Sequence, residues 1–195
     1  MIPQERLSSV PQPADYCAPD DIDPPNALTD YELGGPALND ATGGLQDRIW
    51  TLHAEGTTGN VYLSAPGVFR TLLFTAPGIT EASLAFDQNM RPFVAFVQGG
   101  RAKFRWYDTE IEANRISDLG DGDHSPRCTM DDKRTSATEL GQNDVILAYV
   151  RAGNLYYRQQ RDRFEVERLL HEGVPGRFMR VGMHKGGRLQ FLFIE

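Results

Sequence analysis

Residues 83–108 read SLAFDQNMRPFVAFVQGGRAKFRWYD. Leu84 and Phe86 alternate with small residues and run into Asp87-Gln88-Asn89, a turn string. Phe93, Val94, Phe96 and Val97 form a near-continuous apolar run, the pattern of a strand covered on both faces. Gly99-Gly100 supplies the positive φ values of a two-residue hairpin turn. Ala102, Phe104 and Trp106 then resume period-two alternation. The stretch predicts three antiparallel strands joined by two tight turns, a β-meander.

The same pattern recurs downstream. Residues 148–158, AYVRAGNLYYR, match residues 95–105, AFVQGGRAKFR, without a gap. Each pairs an apolar strand with a Gly-containing turn and an aromatic return strand. A partial third copy closes the sequence: residues 180–188 align with residues 83–91, and Phe191-Leu192-Phe193-Ile194 with Val94-Ala95-Phe96-Val97. A repeat of roughly 40 to 50 residues is the size of one propeller blade. The fold class expected is all-β: repeated antiparallel meanders, as a partial β-propeller or a β-sandwich-like stack. Phe86, Phe93, Ala95, Phe104, Trp106, Ile146, Ala148, Tyr149, Leu155, Tyr157, Phe191 and Phe193 are the expected core. Ala95 and Ala148 should occupy equivalent places in successive sheets.

The first residues differ in kind. Pro3, Pro11, Pro13, Pro19, Pro24, Pro25 and Pro36 break helices and deny donors to a central strand, and Asp20, Asp21 and Asp23 add an acidic cluster. Residues 1–44 are therefore expected to form an extended proline-rich arm, lying against a neighbouring subunit, and residues 45–195 the meander domain. Within that domain Ile49, Trp50 and Leu52 begin a first, degenerate meander, returning through Val61, Tyr62 and Leu63.

At 195 residues the chain is long enough for one sizeable core. A net charge of −7 argues against a general nucleic-acid binder, which needs a basic surface to release counterions. No apolar run reaches the roughly 20 residues of a membrane-spanning helix. Cys17 and Cys128 lack metal-ligand or redox spacing. They read as free thiols of a reducing compartment, with a disulfide as the alternative.

Two polar strings invite a chemical reading. Asp118-Leu119-Gly120-Asp121-Gly122-Asp123-His124 is rich in oxygen ligands, but its spacing is not that of an EF-hand and no Glu closes it, so a solvated turn is expected. Residues 158–168, RQQRDRFEVER, are basic, and the alternation of Phe164, Val166 and Arg168 predicts a strand with its charges on one face. That face could be solvated and ion-paired, an Arg-rich interface, or a phosphate or sugar-acid site. No Gly-x-Ser-x-Gly elbow, His-Glu-x-x-His pair or phosphate loop occurs, and His53, His124, His171 and His184 are scattered. No catalytic residue, metal or cofactor is expected, and the chain reads as a non-enzyme.

Several strings resemble a family of structural proteins of tailed bacteriophages. They are Leu84-Ala85-Phe86-Asp87-Gln88-Asn89-x-Arg91-Pro92 followed by Trp106-Tyr107-Asp108, and Tyr157-Arg158-Gln159-Gln160-Arg161-Asp162-Arg163-Phe164. Val181-Gly182-Met183 before a last strand is similar too, as is Leu38-Asn39-Asp40-x-x-Gly43-Gly44-Leu45 before Trp50-Thr51-Leu52. The resemblance implies a virion component, a tail, collar or fibre-attachment subunit, assembled in the host cytoplasm as a homo-oligomer with other virion proteins. It carries over no active site. Pro11, Pro13, Tyr16 and Tyr31 of the arm, and Arg161, Arg163 and Arg168, are expected at contacts between chains. The alternative is a carbohydrate-binding or glycan-cleaving module at the virion tip, with a host glycan as partner.

Overall fold

Successive antiparallel meanders stack face to face in chain order. The computed structural model describes residues 28–38, 45–55, 58–65, 68–87, 89, 91–120, 122–131, 144–174, 177–184 and 188–194. Among these the first sheet runs β1 (Leu28–Leu38), β2 (Leu45–Ala54), β3 (Asn60–Ala65) and β4 (Val68–Thr75). The second runs β5 (Ile79–Phe86), β6 (Pro92–Gln98), β7 (Arg101–Asp108) and β8 (Ala113–Gly120). The third runs β9 (Asp123–Asp131), β10 (Asp144–Arg151), β11 (Asn154–Gln159) and β12 (Arg168–His171). The last has two strands, β13 (Arg177–His184) and β14 (Arg188–Ile194). The described helical structure is a 3-10 turn at Gln160–Asp162, and no described helix is long and apolar enough to cross a membrane.

The first strand of each sheet is the inner one. β1 packs on β5, β5 on β9 and β9 on β13, so the sheets follow one another in a propeller-like arc. Polar links tie the inner strands β5 and β9. The Ser83 hydroxyl accepts from the Cys128 amide at 3.2 Å, and Arg127 pairs with Glu81 at 2.9 Å. Cys128 is buried; Cys17 lies outside the described residues.

Three apolar layers fill the gaps between sheets. Leu52, Val61 and Leu63 of the first sheet meet Leu84, Phe86, Val94 and Phe96 of the second. Phe93, Phe104 and Trp106, on the opposite face of that second sheet, meet Val145, Leu147 and Tyr149 of the third. Ala148, Val150 and Leu155 face Phe178 and Val181 of the last. β6 and β10 thus serve two layers each, which is why their sequences are apolar at consecutive positions rather than alternating. Of the expected core residues, Tyr157, Phe191 and Phe193 are half-buried and the rest are buried.

The sequence repeat is a structural repeat. Gln98 pairs with Arg101 across Gly99-Gly100, and Arg151 with Asn154 across Ala152-Gly153. All four turn residues have φ between 48° and 76°, so Ala152 adopts the left-handed conformation that glycine holds in the other copy. β13 and β14 occupy the places of β5 and β6.

Two expectations need correction. The arm was expected to reach residue 44, yet Leu28–Leu38 is a strand of the first sheet, in register with β2 from Leu28↔Ala54 to Leu38↔Leu45. The register shifts between Gly34 and Ala37, a bulge that accommodates Pro36, which has no N–H to give the ladder. Tyr31 sits on this strand, opposite Thr51. Residues 161–168 were expected to be one strand, and only Arg168 begins one. Arg163 and Phe164 both have left-handed φ, 53° and 61°, which no strand allows. The Asp144 carboxylate draws the Arg161 amide and guanidinium inward, at 2.8 and 2.5 Å, and Phe164 turns into the core instead of alternating.

Candidate functional site

The densest polar chemistry among the described residues lies where the second and third sheets meet. It is built on β10 and β11, on the start of β9 and on residues 160–167. Arg151, the last residue of β10, lies between two carboxylates. Its Nε and Nη2 donate to Asp123 at 2.5 and 2.7 Å, its Nη1 to both oxygens of Glu167 at 2.9 and 2.7 Å, and its Nη2 also to the Leu119 carbonyl at 3.0 Å. Asp123 is fully buried and Glu167 about a quarter exposed. Arg158 completes the cluster. It donates to the Tyr149 hydroxyl at 2.9 Å, to the Phe164 carbonyl at 3.0 Å and to Glu167 at 3.2 Å. The Tyr149 hydroxyl donates to Glu167.

Charge and burial set the protonation of this cluster. Burial pushes the Tyr149 phenol above its ordinary value, and its hydrogen bond to Glu167 pushes it further. Burial alone would raise the Glu167 carboxyl. Hydrogen bonds from Tyr149 and Arg158, with the charges of Arg151 and Arg158, overcome that and hold it below the ordinary range. The Asp123 hydrogen bonds keep Arg151 firmly protonated against its partial burial. A glycosidase-type acid needs a raised carboxyl pKa. Glu167 is shifted the other way, and the phenol is neutral. The cluster is arranged to hold its parts together, through bidentate, charge-assisted bonds that fix geometry closely.

A second group of ion pairs adjoins it. Buried Asp108, at the end of β7, accepts from Arg115 at 2.9 Å and from Arg163 at 2.8 Å. Arg163 also pairs with Glu110. Between the two groups opens a cleft of about 190 Å³, lined by Phe104, Trp106, Phe164 and Ser117 and by Arg115, Arg158 and Arg163, with Asp118 and Glu165 beside them. Its three guanidiniums are matched by Asp108, Glu110 and Glu167, and Asp118 pairs with Arg101 at 2.9 Å. The cleft is therefore polar without a large excess of positive charge.

Phe164 is the keystone of the junction. Its ring lies 5.1 Å from Phe93, 5.0 Å from Phe104 and 5.3 Å from Trp106, centroid to centroid. A bulky residue at positive φ is strained by about 1–3 kcal/mol, and such strain persists only where surroundings over-determine it. Here the ring is fully buried, the Phe164 amide donates to the Gln159 carbonyl and its carbonyl accepts from Arg158.

The expected contact residues are distributed as follows. Pro11, Pro13 and Tyr16 lie outside the described residues. Arg161 binds Asp144, Arg163 binds Asp108, and Arg168 pairs with Asp162 at 2.6 Å while lying 5.8 Å from the Tyr157 ring centre. All three thus have partners within the chain. Asp118 and Asp123, of the oxygen-rich string, are engaged by Arg101 and Arg151, and no group of three His, Cys, Asp or Glu converges among the described residues. Sequence reasoning missed Arg151 and the cluster it joins: Asp123 and Glu167 lie in the two polar strings and Tyr149 in the expected core, but no pattern brings them together. A signal existed: Arg151 is a lone cation ending an apolar run, where a buried anion must be waiting.

No protein-family model matches the chain, and no curated protein matches it. Among solved structures it is similar to a luciferin-regenerating enzyme, with TM-score 0.45 and 12% identity, over 81% of this chain and 50% of that one. The chain spans about half the length of that protein.

Proposed function

We propose that the chain is a structural subunit of a tailed-phage virion, in a tail, collar or fibre attachment, and works through protein–protein contacts. The observation that carries this is the placement of its exposed apolar side chains. The outermost strand of every sheet presents at least one: Phe69 and Leu72 on β4, Ile116 on β8, Leu169 and Leu170 on β12, and Leu192 on β14. Phe69 is 92% exposed. Exposed apolar side chains that gather into a patch mark contact surfaces, and here they lie on the outer strand of each described sheet, with Ile111 and Val166 exposed in the segments between strands. The polar cluster between the second and third sheets fits this role as an internal brace. Arg161, Arg163 and Arg168 retain exposed surface and can take part in contacts while ion-paired within the chain.

A glycan-binding module remains the second reading, and the cleft beside Trp106 is the feature that favours it. Sugar stacking needs an open aromatic face, and Trp106 is only 6% exposed. Immunogold labelling of purified particles from the phage that encodes the chain discriminates the two. Gold in a ring at a fixed level of the tail is the expected result. A chain found only in the soluble lysate overturns the structural role, and gold confined to the tip with saturable binding on a glycan array favours the second reading.

A further inference from the structure

We propose that Arg91 and Arg105 form a binding site for a phosphate group at the junction of the first and second sheets. Such a site goes beyond the structural role above and does not depend on it. Where the second and third sheets meet, Arg115 and Arg163 both reach Asp108, and Arg151 and Arg158 both reach Glu167. The first junction is different. Arg105, on β7, stands in the cross-strand row Leu84↔Val94↔Arg105, on the face that packs against the first sheet. It is only 8% exposed, and its two row neighbours are fully buried and apolar. Its Nη1 donates to the Pro92 carbonyl at 3.3 Å, and the Phe74 ring of β4 lies 5.9 Å away. Burial pushes its pKa below the ordinary value, whereas the carboxylate of Asp123 raises that of Arg151.

A second guanidinium in the same state lies beside it. Arg91 stacks on the Tyr107 ring, 3.9 Å from its centre, and its Nη1 is buried without an acceptor. Tyr107 follows Arg105 by two residues on the same face of β7, about 7 Å along the strand. Arg91 also directly precedes Pro92, whose carbonyl Arg105 holds. Among the described residues neither guanidinium pairs with a carboxylate. Asp87 accepts the Asn89 and Arg91 amides at its Oδ1, at 2.8 and 2.9 Å. Lys103, next on the same face, donates to the Gln98 side chain at 3.0 Å and lies opposite Asp118. A buried charge without a counter-charge is costly, so an anion that supplies one is held strongly. Guanidiniums are planar forks that match phosphate oxygens, and stacking on Tyr107 fixes the plane of Arg91 while leaving its edge donors free. Two cations are balanced by a doubly charged phosphate, not by one carboxylate.

Titration of the full chain with inorganic phosphate, followed by phosphorus NMR at about pH 8 and constant ionic strength, tests this. Saturable binding is expected. Arg105→Met and Arg91→Gln should each weaken it about tenfold or more, and acetate should bind at least about tenfold more weakly than phosphate. Arg101→Gln removes the same charge from the same strand, away from the site, and should leave binding unchanged. In phosphate-free buffer Arg105→Met should melt at or above the parent's temperature, because Met keeps an apolar stem and removes the uncompensated charge. No saturable binding overturns the proposal, as an acidic side chain already seated at the site would also give. Binding that survives both Arg105→Met and Arg91→Gln overturns it as well. So does acetate binding as tightly as phosphate, since one charge would then suffice. None of these results bears on the immunogold test of the structural role.

Discussion

The second sheet and the last one carry the same hairpin, yet their surroundings differ. In β6 every residue from Phe93 to Val97 is buried, because one face serves the layer with the first sheet and the other the layer with the third. In β14 the aligned residues alternate: Phe191 and Phe193 are half-buried and Leu192 is exposed. Ala95 and Leu192 occupy equivalent places, one at 0% exposure and the other at 57%. A sheet in the middle of a stack must be apolar on both faces and small where its neighbour approaches. A sheet at the end needs only one apolar face and tolerates a large side chain on the other.

Substitutions should separate the middle of the arc from its end. The largest difference is expected at the aromatic residues. Phe164→Ala empties a fully enclosed site between the second and third sheets and should cost about 3–5 kcal/mol. Phe193→Ala, in the half-covered last sheet, should cost only about 1 kcal/mol, part of the transfer free energy of one ring. Denaturant melts of the two variants measure this directly. Equal costs would mean that residues 160–167 are not seated as described.

A smaller effect is expected from enlarging the equivalent small residues. Ala95→Leu and Ala148→Leu should each destabilise by about 1–3 kcal/mol through overpacking. Leu192→Ala, at the matching place in the last sheet, should stay within about 0.5 kcal/mol. Unchanged thermal unfolding of both enlarged variants would falsify the structural equivalence of the two alanines.

The smallest effect concerns acid. The Glu167 carboxyl titrates below its ordinary value of 4.5 in the folded chain. Its contribution is therefore fully present above that value and is lost as pH falls through the lower, folded value. Replacing it by Gln should cost under about 1 kcal/mol of pH-dependent stability, since the group is partly solvated. It should also flatten the decline of Tm below about pH 5. An acid limb as steep in Glu167→Gln as in the parent would remove Glu167 from the brace's titration.

Much of the fold was legible because strands write their surroundings into short patterns. The consecutive apolar residues of β6 and β10 announced sheets covered on both faces, and the two-residue turns fixed the hairpin register in both copies. β1 was hidden by Pro36, which argues against a strand locally and is absorbed by a bulge that only the pairing with β2 reveals. Residues 161–168 were misread for a related reason. Phe164 and Val166 alternate as strand residues do, but Arg163 and Phe164 adopt left-handed φ under contacts from Asp108, Arg158 and three aromatic rings.

The sequence by itself determined an all-β chain of repeated meanders, which faces are apolar, and where the tight turns fall. These depend on neighbours within a few residues or on the period of two. Which carboxylate each arginine meets was decided by tertiary structure alone. Arg151 and Asp123 are 28 residues apart, and Arg163 and Asp108 are 55 apart. No local pattern selects one Asp among so many. Arg151 meets Asp123 because the β9–β10 ladder sets them opposite each other, and Arg163 meets Asp108 because the second sheet stacks on the third; both carboxylates are buried, where an unpaired charge is too costly to tolerate.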